Sequence, residues 1–483
     1  MALQRHLTVL QINDTHGYLE PHPELVWDGA EARYPVLGGY ARIASLFAAV
    51  RKERPSAVIC LDNGDTIHGT FPAVHSKGMA FVPPLNALGL DGMTAHWEFA
   101  YGPEQFKSVA SALNYPMLAV NCYERESGRR PYSPYRVIER AGIRVGIVGI
   151  AATIIDKTMP PHFSTGLRFT LGREELPETI AALRERERVD LVIVLSHLGF
   201  PQDVKLASEV PGIDVYLSGH THNRLYEPVV VNGAIMIQSG SHGSFVGRLD
   251  LVIESRRIAS YSHRLIAVDE RWPEDGETAQ RVNDAMRPHR HMLAAALGAT
   301  DTALHRYTML EAPMDTFLLQ AATGATGTTI GFSNGWRYGA PIPPGPVTMN
   351  DLWNIVPTNP RLTMVDLTGE EMHELMENNL ERTFAADPYR QMGGYAKRCA
   401  GVNVYVKIEN PAGKRIQQFF AEGRPLDRSR TYTVTSLTPQ AVPLDVGRNR
   451  RTLGITAVDA LERHLSTLRK PLCIEETRSV VAT

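Results

Sequence analysis

Short apolar, β-branched runs recur through the first 270 positions of the chain, and a polar loop follows each one. The pattern predicts strands over 7–12, 57–61, 144–150, 190–195, 213–217 and 249–253. Between them, stretches 39–53 and 174–188 carry apolar residues at three- and four-residue spacing, which predicts amphipathic helices. This alternation argues an α/β or α+β domain in which helices pack on sheets. A charged, proline-containing stretch over 268–277 leads into a predicted helix over 278–297, read as the connection between two domains. Beyond it, strands are predicted over 363–367, 401–408 and 431–435, and helices over 370–384 and 457–468. Segment 340–347 is rich in glycine and proline and reads as a loop. The expected division is a domain over 1–270, a linker helix over 271–300 and a smaller α/β domain over 301–483.

Composition narrows the function classes. In 483 residues, 50 basic side chains face 52 acidic ones, a net charge of −2 that gives no electrostatic reason to expect nucleic acid as a partner. Four widely spaced cysteines exclude a disulfide-dense scaffold and any paired-cysteine metal site. No uninterrupted apolar run reaches membrane-spanning length, so no membrane association is expected. The N-terminus, Met1 to His6, lacks the pattern of a secretory leader. As written, the chain is expected in the cytoplasm, or in the periplasm if a leader has been removed.

Metal-capable side chains stand just past the ends of four predicted strands. Strand 7–12 runs into Asn13-Asp14-Thr15-His16, and strand 57–61 into Asp62-Asn63-Gly64-Asp65. Strand 190–195 runs into Ser196-His197, and strand 213–217 into Ser218-Gly219-His220-Thr221-His222. Ligand sites of α/β sheets gather at the carboxyl ends of strands. One such motif alone is ordinary loop chemistry, whereas four in this order are specific.

These blocks resemble the metal-binding motifs of the metallophosphoesterase superfamily, and the second domain makes its 5′-nucleotidase branch the most similar. Ile330-Gly-Phe-Ser-Asn-Gly-Trp-Arg337 is similar to that branch's C-terminal Asn-Gly-Gly-x-x-Arg block. The resemblance implies a four-layered α/β sandwich holding two divalent ions, followed by a substrate-binding domain, with the active site between them. It implies that one ion takes Asp14, His16, Asp65 and His222. The other would take Asp65, His96, His197 and His220, with Asp65 bridging. Mixed His/Asp ligation suits manganese, zinc or iron better than magnesium or calcium. Manganese is the metal expected from the resemblance.

One block departs from the pattern. Nucleotidases read Gly-Asn-His-Glu-Phe-Asp-Tyr-Gly where this chain reads Ala95-His96-Trp97-Glu98-Phe99-Ala100-Tyr101-Gly102. His96 replaces a metal-binding Asn. Trp97 replaces the His that would protonate the leaving group, and Ala100 the Asp that would orient it. The altered block resembles SoxB-type thiosulfohydrolases, a branch that releases sulfate from a cysteine-bound thiosulfonate on a carrier protein and whose members are exported. Segments 386–394, followed by Arg398, and 238–243, which contains His242, resemble the same branch.

The expected function is therefore a dinuclear-metal hydrolase of SoxB type, cleaving a thiosulfonate or a phosphate ester with a metal-activated hydroxide. The alternatives are a 5′-nucleotidase or phosphodiesterase acting on nucleotides, and an inactive metal-binding homologue. An alkoxide leaving group has a conjugate acid of pKa ~16, as for water, and needs a proton donor. A thiolate, at about 8.5, leaves unprotonated. Loss of the donor pair fits the second. The catalytic candidates are His96, Arg337, Arg398 and His242. The two arginines would grip an oxyanion through parallel hydrogen bonds, and the competing reading of Arg398 is a surface salt bridge. The partner is an anionic small molecule or a thiosulfonate-bearing carrier protein. His68 and His75 read as surface or loop residues. Phe332, Trp336, Tyr389 and Tyr395 are the aromatics that could line a pocket. The run Arg184–Arg188 reads as a solvated helix face.

Overall fold

The computed structural model describes residues 4–483 and divides them into two compact units, one through Pro288 and one spanning His289–Thr483. In the first, one sheet orders its strands Arg257–Ala267, Phe245–Glu254, Arg5–Ile12, Val58–Asp62 and Gly92–Met93. The second sheet runs Val229–Val231, Ala234–Ile237, Val215–Leu217, Leu191–Ser196, Ile143–Ile150 and Tyr135–Arg140. The strands Val58–Asp62 and Leu191–Ser196 are buried at every position. That is why their sequences read as continuous apolar runs, as strands covered on both faces do.

Leu7, Val9, Ile59 and Leu61 of the first sheet share one core with Val145, Ile147, Ile193, Leu195, Val215 and Leu217 of the second. Each such side chain contributes roughly 1.5–3 kcal/mol by leaving water. Helix Tyr40–Glu53 covers the other face of the first sheet, burying Tyr40, Ile43, Phe47 and Val50. Helix Glu175–Glu185 packs on Ile143–Ile150 of the second sheet. The layers run helix, sheet, sheet, helix, and the four-layered sandwich is borne out. Among the described residues no helix is long and apolar enough to cross a membrane.

Parallel pairing aligns the strand ends. Ile12 pairs with Asp62, Ile150 with Ser196, and Leu217 with both Leu195 and Ile237. The loops that follow therefore leave each sheet at one level. A buried amide pair joins the two sheets there. Gln11 Nε2 donates to Asn63 Oδ1, and Asn63 Nδ2 donates to Ser196 O and Leu217 O, each at 2.8 Å.

The second unit holds a five-stranded sheet ordered Tyr395–Ala400, Ile330–Gly335, Thr431–Ser436, Arg361–Thr368 and Arg448–Thr456. Three of its helices start on capping boxes, Thr348 with Asp351, Thr368 with Glu371 and Thr456 with Asp459. Asp315, on helix Pro313–Thr326, accepts from Arg306 Nε at 2.8 Å and Arg398 Nε at 3.1 Å. All three side chains are buried.

Several expectations are corrected. The single helix over 278–297 is two, Gly276–Met286 and Arg290–Leu293. Pro288, which cannot donate to the helical ladder, stands between them. The longer helix packs on Tyr40–Glu53 and Val82–Leu88, so the first unit extends past residue 270. The loop over 340–347 ends in a strand, Gly345–Thr348, paired with Ala296–Thr300. The strand Arg257–Ala267 escaped notice because most of it is exposed and carries no apolar alternation.

Replacing Asp315 with Ala leaves two buried guanidinium groups without their shared carboxylate. Breaking a buried ion pair costs about 3–5 kcal/mol, so Asp315→Ala is expected to lose that much stability in urea unfolding. A loss below about 1 kcal/mol would contradict the pairing.

Candidate metal centre

Five of the loops that follow parallel strands converge at the carboxyl edge of both sheets. They carry Asp14 and His16, Asp65, His96, His197, and His220 with His222. Ionisable ligand atoms of Asp65, His96, His197 and His220 lie within 4.8 Å of one another, as do those of Asp14, His16 and His222. Except for His222, which is half-buried, every one of these residues is buried. The backbone bends sharply to bring them in. Asp14, His16, Asp65, His220 and His222 all have positive φ, between 47° and 71°. Such conformations are costly for residues with a Cβ and cluster at functional sites.

The two groups meet at Asp65. Its Oδ2 lies 3.1 Å from His96 Nδ1, 3.2 Å from His197 Nε2 and 4.0 Å from His16 Nε2. In the other group His222 Nε2 lies 3.2 Å from Asp14 Oδ1 and 3.1 Å from His16 Nε2. His197 Nε2 is also 3.6 Å from Asp14 Oδ1. Metal–ligand bonds of about 2.0–2.2 Å put adjacent ligand atoms ~3 Å apart, which is the spacing found. The donors therefore fit two divalent ions sharing the Asp65 carboxylate.

The electrostatics agree. Burial would raise the Asp65 carboxyl, but His96 and His197 beside it hold it well below the usual carboxylate range. Burial opposes charge on His197, yet Asp65 and Asp14 outweigh it and push that imidazole up. Burial holds His16 well below the ordinary imidazole value, so it stands neutral, as a ligand must. Two buried acids thus demand positive charge where imidazole nitrogens turn inward.

A surrounding shell fixes these donors. His197 Nδ1 donates to Asn63 O at 2.7 Å, which leaves Nε2 as the ligating nitrogen. His220 N donates to Asp14 Oδ2 at 2.9 Å. Asp65 Oδ1 accepts from Trp97 N at 2.7 Å. The Glu98 carboxylate accepts from His96 N at 2.8 Å, Thr66 N at 2.6 Å and Asp65 N at 3.2 Å. It therefore ties the Asp65 loop to the His96 loop.

At position 97, where the resemblance implies a proton donor, stands an indole. Trp97 is buried and stacks on His68, with ring centroids 4.2 Å apart and planes 10° apart. Phe163 meets the indole edge-on, with ring centroids 5.5 Å apart. His68, expected at the surface or in a loop, is in a loop and fully buried, because this stack encloses it. His75 is exposed at a helix end, as expected. In the run Arg184–Arg188, Glu185, Arg186 and Arg188 are exposed as expected, while Arg184 is half-buried and pairs with Asp214.

His242 is fully buried beside the first group, its ring 6.0 Å from that of His16 and 6.1 Å from that of His222. Arg337 and Arg398 belong to the second unit. Arg337 Nη2 donates to Gly394 O at 3.0 Å, and the two guanidinium groups lie 5.2 and 5.5 Å from the Tyr395 ring centre. Arg398 makes no surface salt bridge; its pairing with Asp315 is internal. Phe332 belongs to the core of its unit with Ile330 and Val365, so it lines no pocket. Trp336 packs against Tyr338, centroids 5.6 Å apart, and Tyr389 and Tyr395 are half-buried. Asn63 and Glu98 were missed as parts of the site. The signal for Glu98 was present, in a Glu kept where its neighbours changed.

Residues 268–438 match the family model of the 5′-nucleotidase C-terminal domain. The trifunctional nucleotide phosphoesterase YfkN of Bacillus subtilis is 25% identical over 85% of the chain, which spans 30% of that protein's length. Two solved structures share the fold. The sulfate thiohydrolase SoxB of Thermus thermophilus, crystallised with glycerol, is 23% identical with a TM-score of 0.91, covering 99% of this chain and 96% of that one. A 5′-nucleotidase precursor from the same organism is 23% identical with a TM-score of 0.87, covering 99% of both chains.

Replacing Glu98 with Gln turns an amide N–H toward backbone N–H groups and loosens both loops. Loss of such an outer partner typically lowers metal affinity 10–100-fold. Glu98→Gln is expected to fall in that range in chelator competition. An unchanged affinity would remove Glu98 from the site.

Proposed function

We propose that this member of the 5′-nucleotidase superfamily, a metal-dependent hydrolase, acts on a sulfur-oxyanion substrate whose leaving group needs no proton. The observation that carries this reading is Trp97, stacked on His68 where the superfamily places its proton donor, with Ala100 where the donor's Asp stands. An indole N–H is a donor that does not titrate, so this pair cannot protonate an alkoxide.

Asp14, His16, Asp65 and His222 would hold one ion. Asp65, His96, His197 and His220 would hold the other, with manganese the expected metal and zinc or iron the alternatives. When bound, such a pair activates water and clamps the attacking and leaving groups. The chain's own residues do the rest. Asp65 spans both positions, Asn63 sets the His197 tautomer and Glu98 fixes the two loops. Arg337 and Arg398 are the proposed oxyanion contacts. Arg398 gives its Nε to Asp315 and its Nη2 to Thr308 O at 2.7 Å, which leaves Nη1 for that role. The balanced reaction for a thiosulfonate is R–S–SO₃⁻ + H₂O → R–S⁻ + SO₄²⁻ + 2H⁺. Water oxygen bonds to the sulfonyl sulfur, the S–S bond breaks and the thiolate leaves with the electron pair. The substrate is a small anion or a carrier protein bearing the group on cysteine.

A second reading is nucleotide hydrolysis. It is favoured by the names of YfkN and of the Thermus 5′-nucleotidase precursor, and a metal-binding homologue without activity is the third.

A leaving-group series separates them. With metal supplied, log(kcat/KM) plotted against leaving-group pKa should fall steeply, with S-sulfocysteine and nitrophenyl esters cleaved well. Nucleoside 5′-monophosphates should be slower by the ~10²–10⁴-fold that a general acid contributes. Trp97→His with Ala100→Asp should narrow the gap. A flat plot with fast AMP hydrolysis would return the chain to the nucleotidases, and no turnover of any substrate to the inactive reading.

A further inference from the structure

A third group of ionisable side chains lies beside the metal centre, and neither the proposed metal ligands nor the proposed oxyanion contacts use it. Glu24 and His242 are fully buried, and His22 is nearly so. His242 Nδ1 lies 3.2 Å from Glu24 Oε2, and Ser244 Oγ donates to the same oxygen at 2.8 Å. The other oxygen, Oε1, accepts from Arg224 Nη2 and from Leu25 N, both at 2.9 Å. His22 Nε2 stands 3.3 Å from Ser244 Oγ.

Ligand atoms of His22, Glu24 and His242 all lie within 4.8 Å of one another, so a third cation is one use for them. The hydrogen bonding argues against it. Both Glu24 oxygens already accept two bonds each, and Arg224 supplies the positive charge that the buried carboxylate needs. What the arrangement does complete is an oriented imidazole. With Nδ1–H donated to a carboxylate, Nε2 of the neutral ring is an acceptor, and in His242 that buried nitrogen has no hydrogen-bond partner in the protein. His242 is held from the backbone as well. Its N–H donates to Asp14 O at 2.7 Å, its φ is 59°, and the Tyr18 ring packs on it with centroids 5.0 Å apart.

We propose that Glu24 is a positioning residue that keeps the His242 proton on Nδ1, so that Nε2 faces the reaction as a hydrogen-bond acceptor for the attacking water or a substrate hydroxyl. The inference rests on the hydrolase reading but not on the choice of sulfur or phosphorus substrate. A carboxylate behind an imidazole fixes tautomer and ring orientation, and the isosteric amide reverses the tautomer because it can donate. Arg224 and Ser244 hold Glu24 in place.

The experiment is ¹⁵N NMR of histidine-labelled, metal-loaded protein, with the His242 signal assigned from His242→Gln. The wild type is expected to show His242 protonated on Nδ1, and Glu24→Gln to show it protonated on Nε2. Steady-state kinetics on 4-nitrophenyl phosphate should show Glu24→Gln lowering kcat by about 10²-fold or more, with KM within a few-fold and metal content unchanged. An Nε2-protonated ring in the wild type overturns the proposal without any variant. So does unchanged kcat in a folded Glu24→Gln protein. A third ion per chain that disappears in His22→Ala also overturns it, because Glu24 and His242 would then be ligands. If the wild type leaves 4-nitrophenyl phosphate intact, the tautomer measurement still decides, and the failure falls on the substrate reading alone.

Discussion

Asp14 and Asp65 are carboxylates buried at the carboxyl edge of two sheets, and the surrounding structure answers to their charge. An ionised acid away from water is tolerated only when paired and hydrogen-bonded. Five imidazoles supply the inward-facing nitrogens, and backbone N–H groups of Trp97 and His220 supply the bonds. The left-handed backbone at Asp14, His16, Asp65, His220 and His222 is the conformational cost of bringing five short loops to one point. The flush parallel strands and the Gln11–Asn63 amide pair make that cost bearable, because they give the loops fixed and closely spaced origins.

The block that departs from the nucleotidase pattern still holds this frame together. Trp97 contributes its backbone N–H to Asp65, and that contact does not depend on which side chain position 97 carries. Glu98 holds the same block in place through His96 N and Asp65 N. The frame therefore makes no demand on the side chain of residue 97, and the stack on His68 gives the indole a fixed seat. On the proposed reading, such a site needs no proton donor beside its metal-capable residues because its leaving group is stable as an anion. The buried Glu24–His242 pair lies on the other side of the centre, next to His16 and His222 rather than His96.

Strands such as 58–62 and 191–196 were legible because both of their faces are buried, so apolar content alone marks them. Six of the seven ligand candidates were legible because each follows a predicted strand within a few residues; His96 follows the two-residue strand Gly92–Met93, which apolar content does not mark, and was found only through the resemblance of its block. The hairpin strand Arg257–Ala267 was not, since most of its side chains face water and its pairing is set by Phe245–Glu254. The break before Arg290 was visible in Pro288, but it was outweighed by the helical spacing on both sides. Burial of His68 and Arg398 depends on partners remote in sequence. Trp97 encloses the first, and Asp315, on a helix far from strand Tyr395–Ala400, pairs the second. Glu24 is the same case, joined to Arg224, His242 and Ser244 about two hundred positions away. Local pattern reveals which residues can do chemistry, and tertiary pairing decides which of them are oriented to do it.

The donor geometry fits two cations that would share the Asp65 carboxylate. Anomalous diffraction from crystals of the manganese-reconstituted protein tests it most directly. Two peaks about 3.5–4 Å apart, both within bonding distance of Asp65, are the predicted result. A single peak, or two peaks that leave Asp65 or His96 uncoordinated, would contradict the account.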